Sequence, residues 1–576
     1  MLNKQMRASY ERWLARATED ADLVKELHDI AGDDAALEDR FYRQLAFGTG
    51  GLRGVIGAGD NRMNIYTVRR ATQGLADYLN LKYPPDATKS VAISFDSRIK
   101  SDLFASEAAR VLAANGITVY IFTELNPTPV LSFAVRELGC QAGIMVTASH
   151  NPSKYNGYKC YGADGCQMTD HDADEVTACI QKVDIFDGVK TANYAEAVSA
   201  GQIRLLTDAL VDAFLKRVAA QQINPGICAA APLKVVYTPL NGTGNKPVRE
   251  ILKRIGVSDV TVVPSQELPD GNFPTAPYPN PEIREAFNEA LKLAETVKPD
   301  LLLATDPDSD RVGIAVRKDN DYVLMSGNEV GCLLLNYILS CRASHGDLPQ
   351  NPIAVKTIVS TELAAKIAQS YGCEIVSLLT GFKYIGEQIT KLEEIGQTER
   401  YVFGFEESYG YLAGAHVRDK DAVVAAMLIC EMAAFYRKQD KSLLDVMQGL
   451  YEQFGYYAHI TLNVEMEGAE GMANMSRLME SLRTAPPADV AGLKVVETAD
   501  YQLSVKKDIA TGETQVLTLP KSNVLSFVLE SGEQVIVRPS GTEPKIKAYI
   551  TGIGADKAAA EAKAKALADA AAQLLK

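Results

Sequence analysis

Three times along this chain, short apolar runs alternate with stretches of helical periodicity. Ser90 to Phe95, Ile117 to Phe122 and Ala142 to Val146 read as strands, with a helix over Ser106 to Ala114. The pattern resumes with Lys234 to Tyr237, Asp259 to Val263 and Asp300 to Ala304, and again with Ile353 to Val359, Glu374 to Leu379 and Tyr401 to Phe405. Parallel neighbours cannot be joined by a tight turn and need a crossover, normally a helix. The alternation therefore predicts parallel or mixed sheets covered by helices, an α/β fold class. Three successive α/β segments suggest an internal repeat, although no sequence repeat is strong enough to prove one.

The two ends differ from this middle. Residues 3 to about 45 read as helix, with Leu and Ala at helical spacing among Arg, Glu and Lys. Phe47-Gly48-Thr49-Gly50-Gly51-Leu52-Arg53-Gly54, with four glycines, reads as a loop. Tyr457 to Val464, Asn523 to Leu529, Gln534 to Val537 and Ile546 to Thr551 are strands with little helix between, and an Ala-rich helix, Ala555 to Leu575, follows. That is an α+β domain. The segments divide as a helical extension (1–45), domains over 46–205, 206–325 and 326–450, and a last domain over 451–576.

A net charge of −14 argues against a nucleic-acid or anionic-membrane binder. It does not exclude a small phosphorylated substrate, which responds to a few local cations and N–H groups. Nine cysteines at irregular spacing, with no C-x-x-C pair, fit a reducing compartment better than a disulfide or zinc framework. The N-terminus lacks an apolar signal core, and the run around Ala422 to Met427 falls far short of the roughly 20 residues that span a bilayer. A soluble, cytoplasmic protein with no membrane partner is expected.

Chemistry-bearing residues cluster where strands end. Thr305-Asp306-Pro307-Asp308-Ser309-Asp310-Arg311 directly follows Leu301-Leu302-Leu303. In an open α/β sheet, ligands bind at that end of a strand. Three carboxylates so close repel one another, and a hard divalent cation, Mg²⁺ or Ca²⁺, is the usual remedy. An EF-hand would want Gly at the sixth loop position and Glu at the twelfth; counted from Asp306, these are Arg311 and Arg317, so that reading fails. A solvated acidic turn is the plain alternative.

Thr147-Ala148-Ser149-His150-Asn151-Pro152 follows the strand ending at Val146, an exit that can aim a hydroxyl at a substrate or simply form a cap or turn. Downstream, the Asn-Gly of Tyr155-Asn156-Gly157-Tyr158-Lys159 favours a tight turn that folds Lys159 back toward Ser149. Gly404-Phe405-Glu406-Glu407-Ser408-Tyr409-Gly410 offers two carboxylates and a hydroxyl suited to sugar hydroxyls. Thr380-Gly381-Phe382-Lys383 adds a cation. Arg538-Pro539-Ser540-Gly541-Thr542-Glu543-Pro544-Lys545 has the make-up of an anion nest.

In this order and spacing, over about residues 45 to 560, the motifs resemble the α-D-phosphohexomutase superfamily. The resemblance implies three similar mixed-sheet α/β domains and a C-terminal α+β domain around a central active-site cleft. It implies that Ser149 is the phosphoserine, and that Asp306, Asp308 and Asp310 hold Mg²⁺ together with a Ser149 phosphate oxygen. Lys159 and His150 match positions near the transferred proton, and Arg53 matches an Arg of the family's first loop. Arg311 follows the metal loop as the family pattern has it, Glu406 and Ser408 match the sugar-reading loop with Lys383 nearby, all four as substrate-binding residues, and Arg538, Ser540, Gly541 and Thr542 match the loop for the non-reacting phosphate.

TASHNP, TGFKYIG and GFEESYG look most like the bacterial α-phosphoglucomutase branch. The bifunctional mannose/glucose enzymes carry a shorter GEMSGH-like loop. The implied reaction interconverts glucose 1-phosphate and glucose 6-phosphate through a phosphoserine enzyme, with glucose 1,6-bisphosphate as intermediate and activator. Mannose or pentose phosphates, a phosphatase, and a non-catalytic sugar-phosphate sensor are the alternatives. The implied partners are sugar phosphates, with the chain as monomer or homodimer.

Overall fold

A computed structural model describes residues 4–48, 50–466, 471–539 and 545–575. Its first sheet runs Gly51–Val55, Tyr155–Gly162, Ala142–Val146, Ser90–Phe95, Thr118–Phe122, Ile203–Leu206 in spatial order. The second runs Asp321–Met325, Val312–Lys318, Leu301–Thr305, Lys234–Thr238, Asp259–Val262, and the third Glu374–Leu378, Ile353–Thr357, Tyr401–Glu406, Gly410–Leu412. All three are mixed sheets with helices between strands. Ala142–Val146 and Leu301–Thr305 are buried at every position, which is why they read as unbroken apolar runs.

One device recurs in each sheet. A central parallel strand delivers a chemistry-bearing loop, and the chain returns antiparallel beside it. Ala142–Val146 returns as Tyr155–Gly162, Leu301–Thr305 as Val312–Lys318, and Tyr401–Glu406 as Gly410–Leu412. A single apolar core includes Phe133, Val235, Val355 and the buried helix Ala422–Arg437, so the three units are fixed against one another.

Two sequence expectations are corrected here. The Asn156-Gly157 pair forms no tight turn, since neither residue has the positive φ such a turn needs. Both lie inside the strand Tyr155–Gly162, where Asn156 Nδ2 donates to Ile99 O and Ser101 Oγ, each at 3.0 Å. Lys159 nevertheless reaches the Ser149 side of the molecule, because register places it opposite Met145 and Gly51. The glycine-rich loop also ends sooner than expected, in the strand Gly51–Val55. A Cβ at Gly51 would lie 2.3 Å from Tyr158 O, so a glycine there permits the close pairing.

The helical extension is three helices, Lys4–Arg16, Ala21–Asp29 and Asp34–Phe41. Asp20 and Asp33 break the run by accepting N–H groups of the next turn, from Asp22 and Ala36 at 3.0 Å each. Trp13, Leu23, Leu27, Leu37 and Phe41 join the first unit's core. The last sheet is antiparallel throughout its described pairs, with Gly471–Thr484 and Lys557–Leu574 as its helices. Among the described residues, no helix is long and apolar enough to cross a membrane.

Trp13 anchors the extension: it is 1% exposed, and its Nε1 donates to Asp60 Oδ1 at 2.9 Å. Trp13→Ala should destabilise this docking by about 3–5 kcal/mol, read as earlier unfolding in urea. An unchanged urea transition would contradict this packing.

Candidate active site

The loop after Ala142–Val146 is held in an unusual conformation. Ser149 has φ +52°, a left-handed setting that costs a residue with a Cβ about 1–2 kcal/mol. Several bonds over-determine it. Thr147 Oγ1 donates to Asp96 Oδ2 at 2.6 Å and accepts the Ser149 N–H at 2.8 Å. The buried Arg98 guanidinium donates to the carbonyls of Ser149 and Asn151, and to those of Pro152 and Tyr155 at 3.0 Å each. The result aims Ser149 Oγ out of its own unit and at the second. It donates to Asp306 Oδ2 at 2.9 Å and lies 3.2 Å from His150 Nδ1.

Asp306, Asp308 and Asp310 are all buried, each with a carboxylate oxygen within 4.8 Å of the other two. The acidic turn closes on Ser309 at φ +50°, and Arg311 N–H donates to Asp306 Oδ1 at 3.0 Å. Gly242 supports it from behind, since a Cβ there would lie 2.4 Å from Pro307 Cα. Cations and donors from the other units converge on it. Lys159 Nζ donates to Asp308 Oδ2 at 2.9 Å, as does Thr128 Oγ1 at 2.9 Å, and Lys420 Nζ lies 3.1 Å from Asp310 Oδ2. Asp308 Oδ1 and Asp310 Oδ1 remain buried without a hydrogen-bond partner among the described residues. Clustered, buried oxygens with unsatisfied lone pairs are what a hard divalent cation takes, so the residues fit a metal site.

The electrostatics follow from this crowding. Burial, then Asp308 and Asp310, push the Asp306 carboxyl well above its ordinary range. Burial acts the same way on Asp308, but Lys159 overrides it and holds that carboxyl low. Burial would lower Lys159; Asp308 and Asp310 outweigh it, and its pKa is raised. Burial, then Arg311 and Arg53, hold His150 well below its usual range. At neutral pH the lysine is charged and the imidazole neutral.

The third unit supplies the facing wall. Glu406 is buried, and its Oε1 accepts the Gly381 N–H at 2.9 Å. Ser408 is half-buried at the tip of the same loop, beside Tyr409 at φ +65°. Arg311 pairs with Glu282 and bridges Gly410, which joins the acidic loop to the Glu406 loop. Lys383 turns to the first unit, where Nζ donates to Asp170 Oδ1 at 2.6 Å. Arg53 is exposed on Gly51–Val55, lining one cavity with Lys159 and Asn151. Arg538 is half-buried at the end of Gln534–Pro539, opposite Lys547; Ser540, Gly541 and Thr542 lie outside the described residues.

Ser149, His150, Lys159, the three aspartates and Arg311 thus come together in one cluster. Several participants were missed in the sequence. Asp96 and Arg98 follow the strand Ser90–Phe95, and strand position alone could have flagged them. Lys420 and Asp419 belong to the charged run Arg418-Asp419-Lys420-Asp421. Asp419 accepts from Tyr161 OH at 2.8 Å, which ties the third unit to the first. Thr128 carried no sequence signal.

Comparison with known proteins agrees with this geometry. Residues 44–185, 211–319 and 326–454 match the profiles of phosphoglucomutase/phosphomannomutase alpha/beta/alpha domains I, II and III. The phosphoglucomutase of Staphylococcus saprophyticus is 36% identical over 540 residues, covering 94% of this chain and 95% of the relative. That of Staphylococcus aureus is 36% identical over 542 residues, covering 94% and 95%. Among solved structures, the putative phosphomannomutase of Thermus thermophilus aligns with TM-score 0.68 at 22% identity over 92% of this chain and 99% of that one. The phosphoglucomutase of Paramecium aligns with TM-score 0.66 at 17% identity over 92% and 95%. The chain belongs to the phosphoglucomutase/phosphomannomutase family.

Proposed function

We propose that this chain is a phosphoglucomutase that interconverts α-D-glucose 1-phosphate and glucose 6-phosphate through a phosphorylated Ser149. One observation carries the reading: Ser149 Oγ, delivered by the first unit, lies 2.9 Å from Asp306 of a buried triad delivered by the second. The name of the staphylococcal relatives supports glucose as the sugar, as does the GFEESYG loop. Glucose 1,6-bisphosphate is the intermediate and activator on this reading.

Transfer to a hexose 1-phosphate breaks the P–Oγ bond at Ser149 and forms a P–O bond to the sugar 6-hydroxyl. The hydroxyl proton goes to His150, whose neutral Nδ1 lies 3.2 Å from Ser149 Oγ. Charged Lys159, Lys420 and Arg311 surround the transfer point with positive charge. Mg²⁺ held by Asp306, Asp308 and Asp310 would supply Lewis-acid neutralisation of the phosphoryl oxygens. Glu406 and Ser408 hold the sugar hydroxyls, and the Arg538 loop holds the phosphate that does not react. Once the bisphosphate has turned around, the same residues run the reverse transfer at the other phosphate.

The test is a bisphosphate-dependent mutase assay on glucose 1-phosphate. Ser149→Ala should lower turnover by about 10³-fold or more with the fold intact, and Asp308→Asn should cripple the magnesium-dependent transfer. Residual turnover near the parent rate, or stoichiometric release of inorganic phosphate, would contradict the proposal. A second test is the pH dependence of stability. Burial, then Glu406, push the Glu407 carboxyl up to about 7. Its neutral form is favoured in the fold, so its contribution is complete below the ordinary glutamate range and is lost as pH rises through about 7. Urea titrations should show that decline, and Glu407→Gln should flatten it; an equal slope in both proteins would count against a buried neutral Glu407.

A further inference from the structure

A bulky residue in a left-handed setting stands at the seam between the first and second units. Phe273 has φ +48° and is 0% exposed. For a large side chain that backbone is an outlier, and outliers of this kind persist where the surroundings have a use for them. Pro274 follows it, and the residue before a proline is already restricted. Phe273 belongs to none of the motifs that carry the site. It lies in the long loop of the second unit between Pro264–Glu267 and Arg284–Phe287.

The setting serves a contact across the seam. The Arg98 guanidinium lies over the Phe273 ring, 5.1 Å from its centroid. Arg98 is the residue that donates to the carbonyls of Ser149, Asn151, Pro152 and Tyr155. It is buried, and its Nε, 3.4 Å from Asp96 Oδ2, makes no hydrogen bond among the described residues. A guanidinium whose edges donate to carbonyls still has a flat face to cover, and an aromatic ring covers it with favourable charge. Gly271 lets the two units come this close, since a Cβ there would lie 2.6 Å from Ile99 N and 2.8 Å from Ser97 O.

The same loop is anchored behind the acidic turn. Phe273 N–H donates to Asp270 O at 3.2 Å, and Asp270 N–H donates to Asn241 O at 3.2 Å. Asn241 Nδ2 donates to Leu268 O at 2.8 Å. Two residues on, Thr243 N–H donates to Pro307 O at 2.8 Å, inside the turn that holds Asp306 and Asp308. A continuous run of contacts therefore joins the carboxylate turn, through Asn241 and Phe273, to the arginine that clamps the Ser149 loop.

We propose that Phe273 is a positioning residue for phosphoryl transfer: its ring holds Arg98, and Arg98 holds Ser149 against the carboxylate turn. The part in transfer rests on the mutase reading; the hold on the Ser149 loop does not.

The experiment compares the full chain with Phe273→Leu and Phe273→Met, which stay apolar but lose the ring, and with Phe273→Tyr, which keeps it. Hydrogen exchange is followed at the amides of residues 147–152, with the buried strand Ile353–Thr357 of the third unit as control. Phosphoryl loading of Ser149 is followed with glucose 1,6-bisphosphate and magnesium. Loss of the ring should speed exchange at 147–152 about tenfold and slow loading about tenfold, with the control strand unchanged. Phe273→Tyr should stay within about threefold of the parent in both. Unchanged exchange at 147–152 in both ringless variants would overturn the proposal, as would faster exchange with loading at the parent rate. Exchange raised equally in the control strand would show a general loss of stability and count against it too. A parent chain that takes up no phosphoryl group would defeat the mutase reading, while the exchange result would still decide whether Phe273 holds the loop.

Discussion

Crowding three carboxylates into a buried turn is costly unless something neutralises them, and the arrangement around Asp306, Asp308 and Asp310 answers that constraint. Removing a carboxylate from water costs several kcal/mol per ion, so an isolated triad would not stay ionised. Here the compensation comes from elsewhere in the chain. Lys159 and Thr128 arrive from the first unit, and Lys420 from the third. The acidic turn thereby holds the three units in register, and the Ser149 loop is one of the parts it holds. Asp308 Oδ1 and Asp310 Oδ1 are still left over, which is where a metal would complete the balance.

The strand–loop–return device explains how one chain reaches this arrangement. A parallel strand ends at the ligand-binding edge of its sheet, and the antiparallel return brings a second set of side chains back across that edge. In the first unit this places Ser149 and Lys159 on the same side, although ten residues separate them in sequence. In the second and third, the returns bring Arg311 against Gly410, so that the two loops touch. Left-handed φ at Ser149, Ser309 and Tyr409 marks the tight points of the three loops. Such settings persist only where neighbouring bonds over-determine them, as Asp96 and Arg98 do for Ser149.

Much of this was legible in the sequence because burial on both faces writes itself as apolar runs. Ser90–Phe95 and Ala142–Val146 lie where those runs predicted strands, and the chemistry-bearing motifs sit at strand ends as expected. The return strand Tyr155–Gly162 was hidden by an Asn-Gly pair whose local preference is a turn. Tertiary pairing on both sides overrode it, with Asn156 bonding to the 99–101 segment. The extension's breaks were marked by Asp20 and Asp33, caps that look like ordinary helix-surface acids until the next turn is in place. Thr128 could not be found from pattern at all, and Lys420 stood out only as part of a charged run. Their role comes from long-range packing against Asp308 and Asp310, not from any local spacing.

The central claim is that Ser149 carries the phosphoryl group in transit, and labelling tests it most directly. The full chain would be incubated with magnesium and glucose 1,6-bisphosphate carrying radioactive phosphate, then digested and its labelled peptide sequenced. The account predicts label on Ser149 alone, discharged when glucose 1-phosphate is added. Label on another residue, or none while the mutase reaction proceeds, would contradict it.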